Sequence, residues 1–199
     1  GWKHPKTSIL WVGRLIGWKH PDASIKVAYE LKSKGYAFQL DIIGNGEMEQ
    51  QLRQMIQELK LSDCVRMLGA MSPEKVREYM EKADIFLFTS DQNEGWGAVL
   101  NEAMNSGCTV LANQMIGSVP YLVKDGENGF VVKKCNLVEE ITWYIFQCLE
   151  NYQIIRKIGE NAYRTIRDEW NAKVAAEKIL NIVETGEFNF LGVCEKEIK

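Results

Sequence analysis

Short β-branched and aliphatic runs alternate along this chain with longer stretches in which apolar residues recur every three or four positions. That alternation predicts repeated βα units around a parallel sheet, an α/β fold. Ser8 to Gly13 predicts a first strand, and Pro21 to Lys34 a helix with Ile25, Ala28 and Leu31 on one face. Phe38 to Ile43 follows as a strand closed by Gly44-Asn45-Gly46, then Glu47 to Lys60 as a helix and Val65 to Leu68 as a third strand. Ser72 to Ala83 reads as a helix with Ser72 as N-cap and Pro73 in its first turn, where a hydroxyl can satisfy a free amide and proline has none to lose. Ile85 to Phe88 and Thr109 to Ala112 are short buried strands. A loop with Gly117 and Pro120 and a turn at Asp125-Gly126-Glu127-Asn128-Gly129 then lead to a last strand at Phe130 to Val132. From Leu137 onward the pattern is helical only, the final helix starting near Asn171, so residues 1–185 are read as the domain and 186–199 as a loose tail.

The 199 residues suffice for one substantial core, and 46% apolar with 26% charged residues is ordinary for a soluble globular protein. A formal net charge of −3 implies no basic face of nucleic-acid type; an anionic ligand has to be met by a few placed cations. The apolar runs are too short to span a membrane and no signal peptide precedes the fold, so the expected location is cytoplasmic. Cys64, Cys108, Cys135, Cys148 and Cys194 are odd in number and scattered, without the paired spacing of metal sites or disulfide frameworks, and most are expected to be buried or idle. His4 and His20 are the only imidazoles, which argues against a zinc site and against a Ser-His or Cys-His machine. Gly1-Trp2-Lys3-His4-Pro5 recurs as Gly17-Trp18-Lys19-His20-Pro21, too short for a solenoid period and read as incidental. The few residues before the first strand leave no room for a preceding domain, so the chain is naturally short or a piece of something longer.

The most informative stretch is Glu94-Gly95-Trp96-Gly97-Ala98-Val99-Leu100-Asn101-Glu102, in which two carboxylates frame a glycine-broken turn between a strand and a helix. Gly95 and Gly97 let the backbone approach a ligand, and the free amides of the following helix suit a phosphate or a hydroxyl-rich anion. With a helix starting near Gly97, Glu102 lies about 7–8 Å further along its axis, the span from a sugar diphosphate to a ribose. The same spacing also suits a plain strand-to-helix turn with one solvated glutamate.

Every other candidate group likewise lies just past the end of a predicted strand, where open α/β sheets bind ligands. After the first strand, Gly13-Arg14-Leu15 is followed by Lys19, and two cations on one loop can neutralise a diphosphate, although solvated loop cations are the commoner case. After the second, Gly44-Asn45-Gly46-Glu47-Met48-Glu49 opens like a dinucleotide fingerprint but has Glu49 where the third glycine belongs, which argues against an NAD site. After the third, Gly69-Ala70-Met71-Ser72 could wrap a nucleobase or be an ordinary turn.

Val12-Gly13-Arg14-Leu15 with Lys19, Gly44-Asn45-Gly46, Ala83-Asp84-Ile85-Phe86-Leu87-Phe88, Glu94 through Glu102, and Asp125-Gly126-Glu127-Asn128-Gly129 together resemble the group one (family four) retaining glycosyltransferases, in family order from about residue 8 to 184. The resemblance implies a Rossmann-like open parallel sheet flanked by helices, one half of a two-domain glycosyltransferase B-type fold, here the C-terminal, donor-binding half. It implies that Arg14 and Lys19 hold the donor diphosphate and that Glu94 contacts the transferred sugar. Gly13, Met71, Gly95, Trp96, Gly97, Ala98 and Val99 would line the donor, with Glu102 on the ribose hydroxyls. Such enzymes generally need no metal, and no Asp-X-Asp pair is present to hold one; no cofactor is expected besides the nucleotide-sugar donor, which is a substrate. The implied partners are a nucleoside diphosphate sugar and an N-terminal acceptor-binding domain, through which the enzyme would sit peripherally at the inner face of the membrane. Tyr121 stands where many relatives have a glutamate, which puts contacts from the Gly117 loop in question.

Two other readings stay open. One is a different enzyme on the same fold, a nucleotide-sugar epimerase or a phosphorylase, against which stand the two histidines and the lack of a distinctive lysine for pyridoxal phosphate. The other is a non-catalytic module binding a nucleotide or a partner protein, which saturable nucleotide-sugar binding separates from the enzymes only in its protein-binding form.

Overall fold

A computed structural model describes residues 6–133 and 136–186. The proposed tail beyond Gly186, the first copy of the short repeat with His4, and Cys135 and Cys194 lie outside the described residues. Six strands, β1 (Thr7–Val12), β2 (Phe38–Ile43), β3 (Val65–Gly69), β4 (Ile85–Phe88), β5 (Thr109–Asn113) and β6 (Phe130–Val132), form one parallel sheet in the order β3-β2-β1-β4-β5-β6. β1 pairs with β2 from Thr7 opposite Phe38 to Val12 opposite Ile43, and with β4 through Ile9 opposite Ile85. The connections are α1 (Pro21–Ser33), α2 (Glu49–Glu58), α3 (Pro73–Met80), α4 (Val99–Asn105) and α5 (Val119–Leu122), and three helices close the chain: α6 (Leu137–Glu150), α7 (Tyr152–Asp168) and α8 (Ala172–Thr185).

The strands read as unbroken apolar runs because both faces of the sheet are covered. Ile9 and Trp11 of β1 point into one core with α1, α2 and α6, where Ile25, Leu31, Leu52, Ile56 and Ile145 pack. Leu10 of β1 points the other way, into a core with Phe86, Phe88, Leu100, Met104, Leu122 and Ile166. Three of the cysteines, Cys64, Cys108 and Cys148, are free thiols in these cores, as expected of idle ones. Among the described residues no helix is long and apolar enough to cross a membrane.

Several boundaries depart from the sequence reading, α3 ending at Met80 rather than Ala83 among them, and three of the departures bear on the site or the turns. The helix after the glycine turn starts at Val99, two residues past Gly97, because Gly97 adopts φ 72°, a left-handed conformation no helical turn contains. The segment from Gly117 is not all loop: Pro120 sits in the first turn of the short α5, where its missing N–H costs nothing. The second helix ends by Glu58, and Lys60 turns the chain back with φ 55°.

Candidate functional site

In a sheet ordered 3-2-1-4-5-6 the connections leaving β1 and β4 run to opposite sides, which opens a crevice at their carboxyl ends. Both loops bordering that crevice are tied to each other. Thr89, fully buried just past β4, accepts a hydrogen bond from Trp11 Nε1 at 2.9 Å, and its hydroxyl lies 2.7 Å from the Lys19 carbonyl oxygen and 3.0 Å from that of His20. The Asp91 amide donates to the Trp18 carbonyl at 3.0 Å, and His20 Nε2 lies 3.4 Å from Asp91 Oδ2. Burial pushes the Asp91 carboxyl up, but the backbone and side-chain N–H groups of Asn93, with His20 beside it, hold it below its ordinary range.

Lys19 and Glu94 meet across this crevice. Lys19 Nζ lies 2.5 Å from Glu94 Oε2, and the two side chains are only 13% and 11% exposed. Ser90 Oγ donates to the same carboxylate oxygen at 3.0 Å, and the ammonium also stands 4.7 Å from the centre of the Trp18 ring. With so little water around it the pair is weakly screened, and the Ser90 hydroxyl helps fix the carboxylate in place.

Two close backbone approaches set the walls. A Cβ on Gly44 would collide with the Gly13 carbonyl oxygen, where the Gly13 amide donates to Ile43 O at 3.0 Å and the Leu15 amide to Asn45 O at 2.8 Å. The Gly44-Asn45-Gly46 run is thus a crossing point of two loops. On the other wall a Cβ on Gly117 would collide with the Gly95 carbonyl oxygen, and the Gly117 amide donates to Glu94 O at 3.3 Å. The loop from Ile116 to Ser118 therefore braces the one that carries Glu94.

The remaining candidates are distributed around the crevice. Arg14 is exposed and makes no ion pair among the described residues, and Gly13 beside it is half-buried against Trp11 and Lys19. Met71 is half-buried against the second core. Ala98 is the N-cap residue of α4, but with only seven residues this helix offers one short turn of free amides. The Trp96 ring turns toward the surface, 6.0 Å from Tyr121 and 5.7 Å from Trp170, with Nε1 donating to Asn101 Oδ1 at 2.9 Å. Glu102 is exposed on the side of α4 that faces α3, at a shallow cavity of about 310 Å³ with Pro73, Arg77 and Met80, and its carboxylate has no hydrogen bond among the described residues. No three His, Cys, Asp or Glu side chains among the described residues gather as ion ligands. Thr89, Ser90 and Asp91 were not legible as site residues; the polar triplet directly after an apolar strand was the signal available.

Comparison with known proteins agrees with this architecture. The sequence model of the family described as "Glycosyl transferases group 1" matches residues 1–165. The amylovoran biosynthesis glycosyltransferase AmsK of Erwinia amylovora is 27% identical over 91% of this chain and 45% of its own length. The colanic acid biosynthesis glycosyltransferase WcaL of Escherichia coli, a putative assignment, is 34% identical over 65% of this chain and 34% of its own. The chain thus spans less than half the length of these curated relatives. Among solved structures, Anabaena HepE in complex with UDP superposes with a TM-score of 0.78 at 24% identity, covering 90% of this chain and 49% of that one. The C-terminal domain of a group 1 glycosyl transferase from Francisella tularensis gives 0.76 at 22%, covering 83% of this chain and 87% of that one. These likenesses establish the fold, a Rossmann-like half of the two-domain glycosyltransferase B type.

Proposed function

Because this chain belongs to the group 1 glycosyltransferases, we propose that it is the donor-binding half of an enzyme that transfers a sugar from a nucleoside diphosphate sugar to an acceptor with retention of anomeric configuration. The observation that carries the proposal is the Lys19–Glu94 pair at the switch point between β1 and β4. The UDP held by the Anabaena neighbour supports a uridine diphosphate donor, and the amylovoran and colanic acid relatives support polysaccharide assembly as the setting.

In this reading the incoming diphosphate takes Lys19 from Glu94, so the carboxylate is released for the hydroxyls of the transferred sugar as the phosphates arrive. Arg14, exposed and without an ion pair among the described residues, supplies the second cation. The amides from Gly95 to Val99 face the sugar and phosphates, Gly13 leaves room beside them, Met71 lies toward the base, and Glu102 receives the ribose hydroxyls. Negative charge grows on the leaving diphosphate in the transition state, and fixed cations near it lower the barrier without a divalent ion. The nucleophile attacks from the face the diphosphate leaves. An N-terminal lobe supplies the acceptor site and contacts the inner face of the membrane, and the enzyme is cytoplasmic.

Titration calorimetry with UDP, with and without a chelator, tests the donor site. Saturable binding that survives the chelator is expected, and Arg14→Ala should weaken it by about tenfold, on the order of one charge-assisted hydrogen bond. Binding lost on chelation would overturn the metal-free reading; no saturable binding would overturn the donor site.

A further inference from the structure

Two cavities of about 450 and 440 Å³ lie end to end between α1 and α6 and share Asn136 and Val138 in their linings. We propose that together they form one groove that binds a stretch of neutral oligosaccharide, the glycan that the transferase of the preceding reading extends. The inference rests on that reading for the identity of the occupant, and on three features of the groove for its chemistry.

The α1 wall presents Asp22, Lys26, Glu30 and Lys34, four residues apart and alternating in sign, over about 18 Å at 1.5 Å per residue. Lys26 Nζ lies 2.7 Å from Asp22 Oδ2. An alternating wall has no net field for a polyanion or a polycation, yet it offers donors and acceptors in turn to hydroxyl groups. The α6 wall is aromatic. Trp143 is 55% exposed, set edge-on to Tyr144 at 5.0 Å, while Phe146 is fixed by stacking on Tyr36 at 5.0 Å with Lys34 Nζ 4.7 Å from its centre. A flat ring beside paired charges matches a pyranose, which has an apolar C–H face and a hydroxyl edge. Between these walls Thr142 lines the groove, and its buried Oγ1 has no hydrogen-bond partner among the described residues, a group a native interior seldom leaves unsatisfied.

The position of the groove favours a saccharide over a peptide. One end is lined by His20, the residue after Lys19, and by Asn113 at the end of β5, so a chain lying in it runs toward the carboxyl edge of the sheet and the crevice, where the proposed N-terminal lobe holds its acceptor end. An occupant that reaches the reaction point is the molecule being built.

The test titrates the full chain with UDP and, separately, with linear neutral hexasaccharides of α- and β-linked glucose, galactose and mannose, read by calorimetry and tryptophan fluorescence. At least one series should bind saturably and more tightly as the chain lengthens. Trp143→Ala should weaken that binding by about tenfold or more and Trp143→Phe by less, with UDP affinity and melting temperature unchanged. The groove assignment is overturned by no saturable binding in any series, by full affinity in Trp143→Ala, or by burial of Trp143 against a protein partner. Loss of UDP binding would instead count against the donor site, so the two failures read out separately.

Discussion

Gly117 sits against the loop that carries Glu94, and the space for even one methyl group is missing there. A Cβ would overlap the Gly95 carbonyl oxygen, whereas a Cβ on Gly95 itself meets nothing within 4 Å. Gly117→Ala should therefore displace the Glu94 loop, cost roughly 1–3 kcal/mol of stability as an overpacking change, and weaken UDP binding. Gly95→Ala should leave the melting temperature where it is. Equal melting temperatures for the two would show that the loops do not brace each other. Glu102 carries a separate expectation: in its proposed role as ribose acceptor, its loss in Glu102→Ala should weaken nucleotide binding by on the order of 10- to 100-fold, the equivalent of roughly 1.5–3 kcal/mol for hydrogen bonds to a charged group. Glu102→Gln keeps one acceptor and should lose less. Undiminished affinity in Glu102→Ala would mark it as a solvated helix glutamate. At this scale the placing of Arg14, Lys19 and Glu94 in loops that follow strand ends was legible. Their pairing was not: Lys19 and Glu94 are 75 positions apart, and only the neighbouring of β1 and β4 brings them together.

The elements were legible for a different reason. Runs such as Phe38-Gln39-Leu40-Asp41-Ile42-Ile43 and the helical spacing of Ile25, Ala28 and Leu31 reflect burial, and burial is what periodicity encodes. Ser72 does cap α3, accepting from the Lys75 amide at 3.4 Å, and Asn171 caps α8, accepting from the Val174 amide at 3.0 Å. What the pattern could not show are contacts between elements. The Trp96 ring, grouped in sequence with the donor-lining amides, stacks outward on Tyr121 of α5 and lies tilted against Trp170 past α7, so Tyr121 buttresses the Glu94 loop from outside. The seam between α7 and β5 is another such contact. Gly159 lies where a Cβ would collide with the Gly107 carbonyl oxygen, and Thr109 Oγ1 donates to Ile155 O at 2.6 Å nearby. Gly159→Ala should lower the melting temperature by about 2–4 °C for each kcal/mol of strain and leave UDP affinity intact, since the seam is at the amino ends of the strands. A parallel loss of UDP affinity would mean that α7 transmits strain to the crevice. In the cores, burial pushes the thiols of Cys108 and Cys148 up to about 12 and that of Cys64 up to about 11, so little thiolate exists at about pH 8. Peptide mapping after treatment of the native chain with a thiol reagent should find these three unlabelled, and labelled after unfolding; native labelling at Cys108 would contradict the packing around β5.

For the whole molecule, the helix that buries nothing is the informative one. α8 contributes no buried side chain, and its Ile179, Leu180 and Val183 are exposed, an apolar stripe on a helix held by its Asn171 cap and its start beside Trp170. An exposed stripe of this kind marks a surface that another body covers. The relatives are more than twice as long as the stretch they share with this chain, so the stripe is a surface that the proposed acceptor lobe can cover. Transfer also needs an acceptor hydroxyl held against the donor, and closure of one lobe on the other supplies that positioning and a large share of the rate. The chain by itself should accordingly bind UDP and transfer no sugar. Mixing it with the separately expressed N-terminal lobe of the parent gene should restore turnover, and a Leu180→Glu, Val183→Glu double variant should still bind UDP yet fail to be complemented. Incubation with labelled nucleotide sugars and simple acceptors, followed alongside calorimetry, measures both quantities. Turnover by this chain alone at a rate ordinary for a transferase would show that the acceptor hydroxyl is positioned within these residues. The groove between α1 and α6 would then be the place to look for the whole acceptor site.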